Sequence, residues 1–497
     1  MKLAKKLSLL AALVMLAIPF GNFSQTQAQA LPYDGIKATV LTFTGPQIAE
    51  PLQRRAPEFK KLTGADITIA TVPNADLYNT ILKDQSTGTN AYQGFVLYPQ
   101  WLGDFASAGY MQPLDDYIKA DKDIQWDDVE PFQRNFSTAY GGKTYVVPLD
   151  GDFLMVYYRT DVLEKNKLQP PKTWDDYLAV AKAVNGQDMA GDGKPSYGSC
   201  ISKARNQQSY WWLWSIAAPY LQTQGTSQGA FFDPATMQPL VKNDGFIKAL
   251  DIMKETGKYG PPDESTQNVG DSRALFTSGH CALSLDWGDI GTLAIAKDSK
   301  VVDKTGAVIN PGTKEVVDFK TGKLVACDKT TCPNAVDGIN YAPYAAAGGW
   351  SGGVSAAADD KVKQAVYAFY SYLSAPAQSG VDVTLGKTGF NPYRKSHFTN
   401  LKPWLDAGMS EAAAKNYLGA IQASLDNPNF VLDIGIPHNN EYQQVQLDTI
   451  QSQFLAGQLT DQQAASAIFD AWESLTNKYG RDKQKAAYVA ALGIKTK

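Results

Sequence analysis

Two aspartates with one glycine between them, Asp150 and Asp152, have the spacing in this chain that most invites chemistry. On an extended segment, side chains two apart point to the same side, so both carboxylates would face one solute. A carboxylate that accepts from a hydroxyl gains about 1.5 to 3 kcal/mol, and a solute lacking that hydroxyl leaves it unsatisfied. The structural alternative is a turn around Gly151. The catalytic alternative is glycoside hydrolysis by two acids about 7 Å apart, but acids on one strand face approach from one side, whereas hydrolysis needs them to flank the scissile bond. Asp286, beside Trp287, is a similar acceptor with the same structural alternative.

Polyhydroxyl solutes also present apolar C–H faces, which aromatic plates cover. The chain holds ten tryptophans, more than packing alone suggests. Tyr98 and Trp101 follow a short apolar strand, Trp211 follows Gln208, and Trp287 follows Asp286. Trp350 is the leading plate, because glycines at 348, 349 and 352 let backbone approach a ligand closely. For each ring the alternative is core packing, and that is the expectation for Trp212 and Trp214. Thr44 adds a polar side chain on the loop after the first strand.

Other chemistries are poorly represented. There is no HExxH and no P-loop, and His280, His397 and His438 are isolated, so they read as structural. The run from Asp188 to Gly193 is similar to a calcium loop, yet Ala190 replaces the middle acid and Ser199 or Cys200 stands where a glutamate is needed. No metal and no cofactor is expected. Cys200, Cys281, Cys327 and Cys332 allow three disulfide pairings. The short loop favours Cys327 with Cys332, leaving Cys200 with Cys281. A zinc site is disfavoured, because the C-x4-C spacing has no partnering histidine or CxxC.

These candidates need elements to place them. Strands are expected at 38–43, 67–72 and 94–97, with a helix carrying Ile48, Leu52, Phe59 and Leu62 on one face and ending at Gly64, and another near 77–82. That βαβαβ order predicts a mostly parallel sheet flanked by helices, with ligand loops beyond the carboxyl ends, where residues 42–47 and 98–101 fall. The pattern restarts with a strand at 153–158 and a helix opened by Thr173 and Asp176 as a capping box. Residues 300–340 read as a hairpin-rich surface insertion. The C-terminal part is helical, with Leu447, Ile450 and Phe454 on one stripe and a second helix capped by Thr460 and Gln463.

Lys2, Lys5 and Lys6 precede an apolar run from Leu7 to Phe20 and a polar stretch ending Ala28-Gln29-Ala30, the pattern of a secretory signal peptide cleaved after Ala30. The run is too short for a membrane span, and no cysteine stands near the cleavage site to take a lipid. Removing three lysines and no acids takes the formal charge from -4 to -7, so nucleic acid is not an expected partner. The remaining 467 residues suffice for two or more folding units.

Six segments, in this order, resemble the extracellular solute-binding proteins of sugar-type ABC importers, the group containing the maltose- and trehalose-binding proteins. They are APEFKKLTGADITI, WLGDFASAGYMQPLDDYI, YGGKTYVVPLDGDFLMVYYRTDVLEKNKLQPPKTWDDYLAVAKAV, RALFTSGHCALSLDW, GGWSGGVSAAADDKVKQAVYAFYSYLSAPAQS and TGFNPYRKS. The resemblance implies two α/β lobes, the type II periplasmic-binding-protein fold, joined by hinge strands and closing on a ligand between them. It implies lobes made of 31–149 with 288–347 and of 150–287 with 348–497. Arg394 falls where the family has a residue near the cleft; a surface salt bridge is the alternative. The implied role is non-enzymatic: a periplasmic monomer that captures a small solute, a carbohydrate or polyol, and delivers it to the membrane subunits of an ABC permease. Three acids beside indoles also suit a cationic ligand such as a polyamine.

Overall fold

The computed structural model describes residues 31–346, 348–386 and 388–494; the signal peptide expected at 1–30 lies outside them. Strand β1 (Lys37–Phe43) buries Val40 and Leu41 completely, and a helix follows at Ala49–Thr63, ended by Gly64 at a left-handed φ of 84°. Leu52, Ala56 and Phe59 form its inner stripe. Leu62, expected with them, is exposed. Ten residues beyond Leu52, it sits about 80° off the stripe at 3.6 residues per turn.

Besides a two-residue pair at Ala139–Tyr140 and Lys143–Thr144, the remaining strands are β2 (Asp66–Val72), β3 (Gly94–Leu97), β4 (Val146–Pro148), β5 (Met155–Arg159), β6 (Tyr197–Cys200), β7 (Cys281–Asp286), β8 (Thr305–Ile309), β9 (Glu315–Asp318), β10 (Lys323–Ala326) and β11 (Ser351–Val354). They make two main sheets, in the orders β2-β1-β3-β11-β4 and β8-β5-β7-β6. Each contains one strand that runs against its neighbours, β11 in the first and β5 in the second. In both cases it is the strand that arrives directly from the other sheet, which is how the chain closes each sheet after a crossing.

Sheet membership corrects the expected division of the chain. β8 pairs with β5 in the second sheet, although 288–347 was assigned to the first lobe, and β11 lies inside the first sheet, although the chain after 348 was assigned to the second. The helix Asp360–Ser374 packs on β1, β4 and β11, so it too belongs to the first lobe. The chain returns to the second lobe by Glu411–Leu425, which packs on β8. Three stretches therefore pass between the lobes: 149–154, 310–350 and the one between 399 and 411. The expected surface hairpin is real at β9–β10, whereas β8 is a main-sheet strand.

Both capping boxes form, Thr173 with Asp176 and Thr460 with Gln463, and the helix behind each docks on the second lobe. Trp212 and Trp214 are fully buried in the apolar helix Ser209–Leu221, as expected of core residues. The disulfides are Cys200–Cys281, tying β6 to β7, and Cys327–Cys332, closing the loop after β10. They span 81 and 5 residues, so the entropy of loop closure assigns about 4 kcal/mol to the first and about 2 kcal/mol to the second. Denaturant titration of the two Cys-to-Ser double variants should show the larger loss for Cys200 and Cys281.

Candidate functional site

Asp150 stands on the first crossing, just after β4, and its side chain is completely buried. Its two oxygens each take a backbone N–H from elsewhere in the chain: Asn391 donates to Oδ1 at 2.7 Å and Trp350 to Oδ2 at 3.2 Å. Trp350 ends the second crossing, and Asn391 lies on the segment leading to the third. One carboxylate thus ties the first crossing to the end of the second and to the segment that precedes the third. Gly349, at φ 100°, makes the approach possible: a Cβ there would collide with the Asp150 carbonyl. Gly151 is held as tightly, against the carbonyl of Pro392.

Asp152, 9% exposed, accepts from the Asn391 amide at 3.0 Å, its one protein donor among the described residues. The same amide reaches Asp289 at 3.4 Å. Behind them Arg273, 7% exposed on the helix Val269–Thr277, donates to both oxygens of Asp286 and at 2.7 Å to Asp289. Of these four buried carboxylates, only Asp286 and Asp289 pair with the guanidinium. Burial pushes Asp150 up to about 7 against the pull of its two N–H donors, and burial with the charges of Asp150 and Asp289 pushes Asp152 well above the carboxylate range. Burial lifts Asp286 to about 6 despite Arg273.

In front of the carboxylates runs an unbroken file of rings. Phe43 meets Trp350 at 4.6 Å between centroids, Trp350 meets Tyr98 at 3.7 Å, Tyr98 meets Trp211 at 5.2 Å and Trp211 meets Trp287 at 5.3 Å. The first three belong to one lobe and the last two to the other, so Tyr98–Trp211 is a contact across the cleft. Trp287 is oriented by its indole N–H, which donates to Gln208 at 2.5 Å. Tyr98 and Trp211 also wall a cavity of about 270 Å³ shared by both lobes. Tyr78, Trp101 and Tyr210 complete its aromatic part, and its polar rim is rich in carboxamides, among them Asn74, Gln100, Asn206 and Asn440. A larger space of about 700 Å³ lies between Phe132–Gly142 and the C-terminal helix Arg481–Ala491, but alanines and other apolar side chains dominate it. Rings beside fixed hydrogen-bonding groups suit a polyhydroxyl solute, so the smaller cavity is the candidate site, with the buried carboxylates near its Tyr98 wall.

Of the residues expected from the sequence, the fold brings together Asp150, Asp152, Asp286, Tyr98, Trp101, Trp211, Trp287 and Trp350. Their roles differ. Asp286 is held by Arg273, and both Asp150 oxygens are engaged by backbone, so neither is a free acceptor. Thr44 is exposed beyond β1, and outside the cavity wall. Arg394 is neither a cleft contact nor a surface bridge: it is completely buried, donating to the carbonyls of Ser374, Ile124 and Gln125 and to Asp128, a clamp inside the first lobe. The Asp188 side chain accepts from the N–H groups of Gly191, Asp192 and Gly193, closing its loop without an ion, and no cluster of metal-ligating side chains occurs among the described residues. Sequence reasoning missed Asn391, Arg273 and Asp289. Asn391 was within reach as the polar residue of the Gly-Phe-Asn-Pro run, whereas Arg273 on an amphipathic helix looks like surface charge.

Two α/β lobes are joined by three crossings, with rings and acids between them. The chain belongs to the bacterial extracellular solute-binding protein family, whose sequence profile it matches over residues 45–379. This is a family of non-enzymatic binding proteins. The chain is 28% identical over 251 residues to the mannitol-binding protein of Pseudomonas aeruginosa, covering 49% of this chain and 53% of that protein, so the match spans about half of the relative's length. Among solved structures, an ABC transporter solute-binding protein from Agrobacterium radiobacter in complex with ribitol aligns with a TM-score of 0.71 at 20% identity, covering 89% of this chain and all of that one. One from Agrobacterium vitis with bound D-mannitol aligns at 0.67 and 21% identity, covering 89% and 99%. At those identities the structures establish the fold.

The Arg273 geometry makes a prediction. Replacing it with methionine strands Asp286 and Asp289 as uncompensated buried acids, which should cost about 3 to 5 kcal/mol in an equilibrium unfolding experiment. The exposed pair Lys402–Asp406, disrupted by Lys402→Met, should lose less than about 1 kcal/mol.

Proposed function

We propose that the chain is the periplasmic substrate-binding component of an ABC importer, a monomer that captures a neutral carbohydrate, a sugar or a sugar alcohol, between its lobes and delivers it to the membrane permease. The observation that carries this reading is the carboxamide-rimmed cavity between the lobes, walled by Tyr98 from one and Trp211 from the other. Rings cover C–H faces, and carboxamides both donate and accept. A mannitol-binding relative and polyol-bound neighbours of the same fold support it. Closure that buries the ligand would hold the receptor in the form the permease recognises.

A cationic ligand such as a polyamine is the second reading, favoured by the excess of carboxylates over Arg273. The neutral reading leads because two of the four acids already pair with Arg273, and Asp150 with backbone.

A thermal-shift screen of residues 31–497 against D-mannitol, ribitol, maltose, spermidine and free amino acids tests both readings. A solute at about 100 times its dissociation constant adds about 2.7 kcal/mol of stability, a visible rise in melting temperature. The expected result is a rise with a neutral polyol or sugar, no hydrolysis product, and at least about tenfold weaker binding in Tyr98→Ala, or about 1.4 kcal/mol. A rise with spermidine alone would move the assignment to the cationic class.

A further inference from the structure

The helix after β3 meets the chain entering the last helices across the cleft, and the inference drawn from that contact rests on the interlobe cavity being where solute is captured. Gly103, on the helix Leu102–Ser107 of the first lobe, is buried with its bare Cα against the second. A Cβ there would lie 3.0 Å from the carbonyl carbon of Ile436 and 3.1 Å from the nitrogen of Pro437. Its backbone is helical, so what the glycine supplies is space for the other lobe. Asp104 comes next and takes one donor from each side. The hydroxyl of Tyr78, on the helix Asn74–Thr87 of the first lobe, donates to Oδ2 at 2.9 Å. The backbone N–H of His438, in the second lobe, donates to Oδ1 at 2.7 Å. His438 holds a left-handed φ of 67°, which a residue with a side chain keeps only where its surroundings fix it. Here its ring lies flat on Tyr479, 3.6 Å between centroids and 9° between planes, while its N–H is fixed by Asp104.

These contacts stand directly beside the cavity. Tyr78 walls it from the first lobe, with its ring 5.3 Å from that of Trp101, and Asn440, two residues past His438, walls it from the second. Asp104 and His438 are not among the residues that line it. We propose that Asp104 and Gly103 form the latch of capture: the carboxylate fastens the His438 backbone to the Tyr78 wall when the lobes are together, and the glycine lets Ile436 and Pro437 come close enough for it to do so. Both are positioning residues, which set affinity through the stability of the closed arrangement and touch no solute. A hydrogen bond that exists only with the lobes together favours closed over open by its own strength, whichever solute fills the cavity. Removing it therefore weakens every solute by one factor, whereas removing a wall residue weakens each differently.

Hydrogen exchange and calorimetry on the chain of residues 31–497 test the latch, the first without any ligand. Amides of 436–440 should be protected in the unmutated chain, alone or with D-mannitol, ribitol, maltose or spermidine added, and should lose that protection in Asp104→Ala and in Gly103→Leu while the two main sheets keep theirs. Leucine is a better helix former than glycine, so Gly103→Leu spares the helix and wedges only the contact. Both variants should bind whichever probe the unmutated chain binds at least about tenfold more weakly, through faster dissociation and by one factor for all probes. Asp104→Asn, which keeps an acceptor for His438 and can donate to the Tyr78 oxygen, should restore the affinity. Free exchange at 436–440 under every condition overturns the latch whatever the chain binds, and so does unmutated affinity in both variants. A loss confined to one of several bound probes overturns it too, since it would make Asp104 a solute contact. Protection lost in both variants, with no probe bound by the unmutated chain, upholds the contact between the lobes and removes the receptor reading alone.

Discussion

A buried carboxylate held by backbone from both sides is the interaction on which the rest of this architecture depends. Asp150 sits where the chain first leaves one lobe for the other, and accepts from Trp350 at the end of the second crossing and from Asn391 on the approach to the third. Removing it from water costs several kcal/mol unless its hydrogen bonds are good. The two short N–H contacts, and the glycines at 151 and 349 that let neighbouring backbone come so near, meet that requirement. The same geometry fixes where Trp350 places its ring, and thus where the aromatic file begins.

From that point the site reads outward. Asn391 carries the hydrogen bonding from Asp150 to Asp152 and Asp289, Asp289 passes it to Arg273, and Arg273 anchors Asp286 at the end of β7. The rings in front span both lobes, so a solute that enters must part Tyr98 from Trp211 or use the cavity they border. Selectivity and closure therefore draw on the same few side chains. Ligand shifts the balance between open and closed only by as much as it prefers the closed arrangement, and contacts made by both lobes at once supply that preference.

Much of this was legible in the sequence. Period-2 and period-3.6 patterns located β1 to β3 and the helices that begin at Thr173 and Thr460, because capping boxes and apolar stripes are local signals. Tryptophans beside acids pointed to the site, and Trp212 and Trp214 lie in the core where their apolar neighbours suggested. Distance between remote segments is what sequence could not supply. The lobe assignment of β8 and β11 failed because sheet membership is set by long-range pairing, and Ser351-Gly352-Gly353-Val354 has no strand signature until Tyr370 is seen lying over it. Arg394 misled for the same reason: the resemblance put it near the cleft, with a surface salt bridge as the alternative, but three carbonyls from the first lobe converge on it. Asp150 and Asp152 looked equivalent on paper, and only the fold separates an acceptor with both oxygens engaged by backbone from one held by a single side-chain amide.

A crystal structure of residues 31–497, grown with the solute that stabilises the chain most, tests the interlobe site most directly. Hydroxyl oxygens should lie within hydrogen-bond distance of the rim carboxamides, a C–H face should rest against Tyr98 or Trp211, and the Asp150 contacts to Trp350 and Asn391 should be retained. A solute seated in the apolar space beside Arg481–Ala491, with the file from Phe43 to Trp287 unbroken, would contradict that site.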